Sequence, residues 1–317
     1  MSAYSDSVSR PGRKSNAGTD PRELFMVDFG DMTLEAWEQT FDFANGKTFV
    51  KNISSGKADT FPIIGRKRDG VDHIPGEVIL GGGVEHNEVE ISVDNMTVDA
   101  VFIAEIDELL LHYELARPYA KQLGESLASV SNGRIGRSLV LAGRTTDAPY
   151  EGGPVPGYSF HADMATDPSK LEDAAFDGIE YIRVNDVGGG QPDFWLPWKQ
   201  QLLLARYTGI DTEATSGAGN RSAGTVGPMA GLSIRGTNSI PNTNYTADSF
   251  AKYNGDFTPT VGVIANGMAV GTLKRRGMKV TMSQKDDRLG TLLIASQLEG
   301  HGALRRECSY EVRKTAR

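Results

Sequence analysis

The chain has one cysteine, Cys308, among its 317 residues, which excludes an intramolecular disulfide. Its five histidines, His73, His86, His112, His161 and His301, stand apart, with no His-x-x-x-His, Cys-x-x-Cys or His-Glu-x-x-His spacing, so the sequence patterns of a zinc site are missing. Apolar runs are short: Val101 to Ala104 and Leu202 to Ala205 fall far below the roughly 18 to 20 residues of a membrane helix, and no membrane partner is expected. The opening Met-Ser-Ala-Tyr-Ser-Asp has no charged-then-apolar pattern, from which we expect folding in a reducing cytosol. No repeat with a period of 20 to 50 residues is visible, which excludes a solenoid or propeller. An excess of positive charge is also missing. With 33 Lys and Arg against 41 Asp and Glu the net charge is -8, which argues against a chain whose main task is to neutralise nucleic-acid phosphates.

The sequence is rich in glycine (37) and carries 14 prolines, so long loops are expected around an ordinary apolar content of 39%. A chain of this length can bury about three quarters of its unfolded surface, enough for one large domain or two ordinary ones. Charge is segregated. Residues 1–22 hold little that could pack and read as a mobile arm. Residues 23–45 carry six carboxylates and no Lys or Arg, interleaved with Phe25, Phe29, Trp37 and Phe41, a strip that calls for an apolar and basic partner surface. The sign reverses over 47–68, where Lys47, Lys51, Lys57, Arg66, Lys67 and Arg68 face Asp59 alone. It reverses again over 85–114, with nine carboxylates that include Glu85, Glu88 and Glu90. The last 47 residues, with Lys274, Arg275 and Arg276, hold eleven basic and five acidic side chains. A chain so divided can attract copies of itself.

Thr48 to Ile53 reads as a strand, and Val89, Ile91 and Val93 alternate with polar residues as in a half-buried one. After Asp94-Asn95 the apolar set moves to Met96, Val98, Ala100 and Phe102, which predicts a bulge or bend. The basic and acidic strands, joined through Glu77 and Gly81-Gly82-Gly83, predict a long hairpin with cross-strand charge pairs. Residues 117–142 are the best helix, with Pro118 at its start and Tyr119, Leu123, Leu127 and Val130 at helical spacing; Gly124, Gly133 and Gly136 weaken it or mark close packing. A second helix is predicted from Pro197 to about Tyr207, with Trp198, Leu202 and Leu203 on one face and Trp198 in the core. Residues 145–163 and 212–227 read as loops, and Leu289 to Leu298 is open between strand and helix.

Candidates for chemistry are weak. Cys308 beside Arg305 and Arg306 reads as a small packing residue before it reads as a nucleophile. The triplets Gly81-Gly82-Gly83 and Gly188-Gly189-Gly190 lack the arrangement of a phosphate loop, and the pairs Asp286-Asp287 and Glu172-Asp173 read as solvated faces. Lys274-Arg275-Arg276 is expected at the end of a strand, meeting carboxylates or solvent. No catalytic residue, metal or cofactor is expected.

Three stretches resemble the major capsid proteins of T-seven-like podoviruses, in that family's order. The first is Ile53-Ser54-Ser55-Gly56-Lys57, then Phe61-Pro62-Ile63-Ile64-Gly65-Arg66 and Pro75-Gly76-Glu77. The second is His112-Tyr113, Tyr119 and Gln122-Leu123-Gly124-Glu125-Ser126-Leu127-Ala128. The third is Ala269-Val270-Gly271-Thr272-Leu273-Lys274 with Gly300-His301-Gly302-Ala303-Leu304-Arg305-Arg306-Glu307. The resemblance implies an α+β fold of the Hong Kong 97 capsid type, with an N-terminal arm at 1–46, an extended loop at 47–104, a peripheral domain with a spine helix at 105–142, an axial domain at 143–262 and a peripheral return at 263–317. It favours strand for 289–298. It also implies a structural subunit, not an enzyme, that self-assembles into hexamers and pentamers of an icosahedral phage head in the bacterial cytoplasm and ends in the virion. Its expected partners are copies of itself, a scaffolding protein, a portal protein at one vertex and, weakly and non-specifically, the enclosed double-stranded DNA. The inter-subunit contacts expected are the charged residues named above from Lys57 to Arg68, Glu77 to Glu90 and Lys274 to Arg276, with Phe25, Phe29, Trp37 and Phe41 as arm contacts. Rival readings are a minor capsid or encapsulin-like shell protein on this fold, and a cytosolic enzyme with a glycine-rich lid.

Overall fold

The computed structural model describes residues 21–44, 46–67, 70, 72–76, 78–79, 81–104, 116–207, 224, 226–285, 287 and 289–316. They form two compact units, one from the described residues within Met1–Thr40, Thr97–Ala128 and Met278–Gln297, the other from those within Phe41–Met96, Ser129–Gly277 and Leu298–Arg317. Helix and strand mix in both.

In the first unit, helix α1 (Pro21–Thr40) occupies most of the acidic strip that the sequence left without a secondary structure. Pro21 suits a first helical position, where its missing N–H is no loss. Strands β4 (Thr97–Ala104), the second half of β11 (Val270–Lys285) and the first half of β12 (Gly290–Ala303) supply a sheet whose inward residues Val101, Ile103, Met278, Val280, Met282, Leu293 and Ala295 pack on Ala120, Leu123 and Leu127 of helix α2 (Ala116–Arg144). Gly124 lets α1 approach: a Cβ there would collide with the Thr33 carbonyl oxygen and lie 2.9 Å from the Trp37 nitrogen. The strand expected after Asp94-Asn95 is present, but inverted. Met96, Val98 and Phe102 are exposed and Val101 and Ile103 face the core, because β12 pairs Leu293 with Val101 and Thr291 with Ile103 and so fixes which face looks inward.

The second unit centres on a five-stranded sheet in the order β5 (Tyr158–Phe160), β13 (Ser309–Arg313), β10 (Thr260–Ala265), β6 (Asp193–Leu196), β7 (Ser233–Gly236). Both faces are covered, so β10 is buried throughout and reads as a continuous apolar run. On one face Phe194, Leu196, Val261, Ile264, Tyr310 and Val312 meet Leu171, Ala174, Ala175 and Ile182 of helix α3 (Pro168–Val184) and Leu204 of helix α4 (Trp198–Ala205). On the other face Trp195, Val263 and Ala265 meet Ile135, Leu139 and Val140 of α2. Helix α3 falls where no element is predicted from the sequence, although Asp167 caps it through Ser169 N and Pro168 opens it. Helix α4 lies where expected, but Trp198 is 49% exposed, because the core-facing stripe of this short helix is taken by Gln200, Gln201 and Leu204.

A hairpin of β2 (Ala58–Ile64) and β3 (His86–Ser92) buries Phe61 and Ile91 against Leu273 and Leu304. The hairpin expected between the basic and acidic blocks is present, but its basic-block strand is β2 rather than Thr48–Ile53. The Thr48–Ile53 strand, β1 (Phe49–Asn52), instead pairs in parallel with the start of β11, Phe49 opposite Gly271 and Asn52 opposite Lys274. The foreseen cross-strand charge pairs are missing too, since Glu88 and Glu90 stand opposite Pro62 and Thr60, and the basic residues flank the paired segment. Lys274, Arg275 and Arg276 sit inside β11, not at its end, because the strand continues to Lys285. Residues 289–298 are strand, apart from Leu289 itself, which turns with φ +46° just before β12. A short pair, β8 (Asn244–Tyr245) and β9 (Gly255–Asp256), completes the unit.

Candidate assembly elements

The β2–β3 hairpin is held at both ends of its paired segment by groups that reach its backbone. Arg275 Nη1 donates to the Gly56 carbonyl at 2.6 Å, Arg305 Nη2 to the Ile64 carbonyl at 2.6 Å, and Val93 N to the Lys57 carbonyl at 2.7 Å. Lys51 pairs with Asp59 at 2.7 Å. The glycines of the Gly300-His301-Gly302 string explain themselves here. A Cβ at Gly300 would strike Ser92 O and lie 2.8 Å from Val93 Cα, one at Gly302 would touch Ile91 at 3.2 Å, and one at Gly271 would meet Ile91 at 2.6 Å. Side chains at these positions would push β3 away from β11 and β12.

Beneath the hairpin lies a buried ionic network that sequence reasoning missed. Asp94, just past β3, accepts hydrogen bonds from Tyr253 OH at 2.6 Å and from Lys252 Nζ at 2.6 Å, and faces Arg134 Nη1 of α2 at 3.4 Å. Its backbone N–H donates to the Glu299 carbonyl at 3.1 Å. Arg134 and Arg137, one turn apart on α2, both reach Asp248, at 3.3 and 2.9 Å. The Arg137 guanidinium also stacks over Tyr245 at 4.1 Å. Glu299 accepts from Ser131 and faces His301 Nε2 at 3.5 Å, while His301 Nδ1 lies 3.1 Å from Thr272 Oγ1. Burial works against the Glu299 charge, but the His301 and Ser131 contacts and the field of Lys274 outweigh it and leave the carboxyl below its ordinary value. Burial and the neighbouring Asp94 carboxylate push the Tyr253 hydroxyl far up, so it stays protonated and donates. A sequence signal existed in the basic pair Arg134 and Arg137 flanking Ile135 in the second half of α2, whose charges had to be matched if buried.

Of the contact residues expected from sequence, Lys57, Arg66, Lys67, Glu85, Glu88 and Glu90 are exposed on or beside the hairpin, and Arg66 pairs with Asp186. Lys274 and Arg276 are half-buried in β11, and Arg276 Nη2 lies 3.8 Å from Met96 Sδ. Trp37 and Phe41 are committed within the chain, Trp37 against the Leu123–Leu293 core and Phe41 against the core around Phe43 and Trp195. Arg68 and Glu77 lie outside the described residues, as do the side chains of Phe25 and Phe29. Much of the basic charge is matched internally: Lys47 pairs with Asp193, Arg306 with Asp147 at 3.7 Å, and Arg144 forks onto the buried Glu311 at 2.9 and 3.2 Å. Cys308 is a packing residue, with its thiol pushed up to about 12 by burial and by Glu307. Among the described residues no group of three or more His, Cys, Asp and Glu is placed to hold a metal, and no helix is long and apolar enough to cross a membrane.

Residues 60–313 match the Gp10A-like family, described as major capsid protein. The major capsid protein of Escherichia phage T7 is 32% identical over 126 residues, 39% of this chain and 36% of that protein, and the minor capsid protein of the same phage matches equally well over 31% of its length. These matches span about a third of the length of the curated relatives. The capsid of cyanophage P-SCSP1u superposes with a TM-score of 0.75 at 28% identity, over 84% of this chain and 86% of that one. The mature capsid of bacteriophage PhiM1, at 0.70 and 17% identity over 85% and 86%, and a virus-like particle from Pyrococcus furiosus, at 0.58 and 10% over 91% and 99%, share the fold. That fold is the α+β Hong Kong 97 capsid type, and the chain belongs to the Gp10A-like family of major capsid proteins.

Proposed function

We propose that this chain is the main subunit of an icosahedral phage head, working by self-assembly into hexamers and pentamers that enclose double-stranded DNA. The observation that carries the reading is the segment between β2 and β3. There Ile74, Val78 and Ile79 are 59%, 83% and 81% exposed, three large apolar side chains left largely open among the described residues. A monomer gains nothing from such a surface, whereas a neighbouring subunit lying against the segment removes it from water. In this reading the hairpin is the extended loop and residues 143–262 the axial domain. A scaffolding protein guides assembly, a portal protein replaces subunits at one vertex, and the contact with DNA is weak and non-specific, as suits a net charge of -8 on a container that must release its genome. No catalytic role is proposed.

Expression of the chain with and without its scaffolding partner, followed by electron microscopy, tests the reading. Closed icosahedral particles support it, and a stable monomer under every condition refutes it. A minor shell component is the second reading, favoured by the equal identity to the minor capsid protein of phage T7. Copy number per particle separates the two.

A further inference from the structure

One guanidinium joins a buried carboxyl to the hairpin. Glu307 lies in a short helical turn, Arg306–Cys308, just before β13, and is only 4% exposed. One of its carboxylate oxygens has no hydrogen-bond partner among the described residues. Arg305 Nε faces the other oxygen at 3.6 Å, and Arg305 Nη2 donates to the Ile64 carbonyl at 2.6 Å. The two contacts use different nitrogens of one planar group, so they are made together and do not compete. The Arg305 backbone is fixed as well, its N–H donating to the Met268 carbonyl at 3.1 Å and its carbonyl accepting from Cys308 N at 3.1 Å. The Ile64 carbonyl stands at the loop-ward end of the hairpin, where Ile64 pairs with His86 and Gly65 N donates to the Glu85 carbonyl at 2.8 Å.

Glu307 is the titratable member of this series of contacts. Burial holds its carboxyl above the ordinary value, with the Arg305 charge pulling the other way. Beside it the Cys308 thiol, pushed up to about 12, stays neutral, and Arg306 turns to Asp147 at 3.7 Å. At the loop-ward end of the hairpin the other titratable groups among the described residues are Glu85 and His86, both exposed, and Asp186, which pairs with Arg66. While Glu307 is ionised its charge fixes the guanidinium. Without that charge the Arg305 side chain, already 22% exposed, is drawn toward water. We propose that Glu307 and Arg305 form a proton-operated latch on the loop-ward end of the β2–β3 hairpin, closed while the carboxyl is ionised and released when it takes up a proton. The same proton acts oppositely on core and hairpin: it removes a buried charge from the core, and it removes the counter-charge that holds Arg305 on Ile64. Linkage requires the reverse as well, so release of Arg305 makes Glu307 easier to protonate. The segment beyond Ile64 carries the exposed Ile74, Val78 and Ile79, so the latch governs how firmly those apolar side chains are presented. The inference does not depend on what the chain assembles into.

The test is hydrogen exchange on the full-length chain, corrected at each pH for the intrinsic exchange rate. As pH falls from about 8 towards 4.5, the unfolded value of Glu307, protection of the Gly65 amide is expected to fall by at least about tenfold, the effect of losing one hydrogen bond from a charged donor. The Val93 amide, bonded to the Lys57 carbonyl at the opposite end beside Arg275, is expected to keep its protection. In Glu307→Gln the response is expected to vanish, with Gly65 at its acid level throughout. Gly65 protection that stays flat or rises on acidification of the natural chain overturns the inference, and so does a parallel loss at Val93, which would make the opening global. A response that persists in Glu307→Gln also overturns it, by assigning the proton to His86, Glu85 or Asp186. If Glu307→Gln folds poorly, Arg305→Gln takes its place with the same expected loss of response, and persistence there counts equally against the latch. Particle formation is not the readout, so either result leaves the shell-subunit reading standing.

Discussion

Single side chains decide several contacts in this chain, and glycine gives the sharpest case. In a solvent-facing helix, Gly→Ala stabilises by about 1 kcal/mol. At Gly124 and Gly136 the sign reverses. The Gly124 methyl would enter the backbone of α1, and the Gly136 methyl would strike Ser239 O with its carbon 2.9 Å away. Gly124→Ala and Gly136→Ala are each expected to destabilise by about 1–3 kcal/mol, read as a lower melting temperature. Both glycines are visible in the sequence as marks of weakness or close packing, but what they approach is not, since Thr33 and Ser239 are distant in the chain. Glu307 gives a second case. Its side chain is buried, one carboxylate oxygen has no hydrogen bond, and burial raises its pKa, with the field of Arg305 opposing. A carboxyl raised in the folded state contributes stability that is present below its unfolded value of 4.5 and lost as pH rises through the folded value. Glu307→Gln is therefore expected to stabilise the protein by about 1–2 kcal/mol at neutral pH, with the gain fading as pH falls through the folded value and absent below the unfolded one. Denaturation across pH checks both the gain and its sign.

At the scale of elements, the buried network under the hairpin sets the cost of disturbing it. Asp94→Ala leaves Lys252 and Arg134 facing an apolar gap, and removal of one partner from a buried ion pair costs about 3–5 kcal/mol. Hydrogen exchange at the β2–β3 amides is expected to speed up with the loss of stability. Exchange unchanged in β2 and β3 would show that the network does not hold the hairpin. Helices α2 and α4 and strand β3 were legible from spacing alone. The facing of β4 was not, because Val98, Ala100 and Phe102 are as apolar as Val101 and Ile103, and pairing with β12 chose between them. The two helices that escaped notice escaped for different reasons. Apolar residues and carboxylates crowd α1 on several sides, so its period is blurred. Helix α3 carried its start signals in Asp167-Pro168, but its core stripe is built of Ala174, Ala175 and Gly178, small residues that give little hydrophobic contrast. Trp198 was misjudged because a tryptophan on a helix promises burial, and here the buried stripe is filled by glutamines.

For the molecule as a whole, segregated charge was legible and its partners were not. The basic block 47–68 spends Lys47, Lys51 and Arg66 on Asp193, Asp59 and Asp186 of the same chain, while Glu85, Glu88 and Glu90 remain exposed and outside any ion pair among the described residues. The acidic side of the expected electrostatic contact survives better than the basic side. Particle formation is expected to fall as ionic strength rises from about 0.1 to 1 M, over which the screening length shrinks from about 10 to 3 Å. Light scattering during assembly reads this, and a flat response would assign the association to apolar contacts alone.

The parallel pairing of β1 with β11 bears on time as well as on space. Phe49 waits for Gly271, more than two hundred residues further along, and β4 and β5 wait in the same way for β12 and β13. Both large sheets therefore close only when the last strands leave the ribosome, and pairings of such long sequence separation form slowly. A chain still being synthesised has neither sheet finished and no seated hairpin to offer a neighbour. In a chain that assembles as proposed, this order of strands is expected to delay association until both sheets have closed.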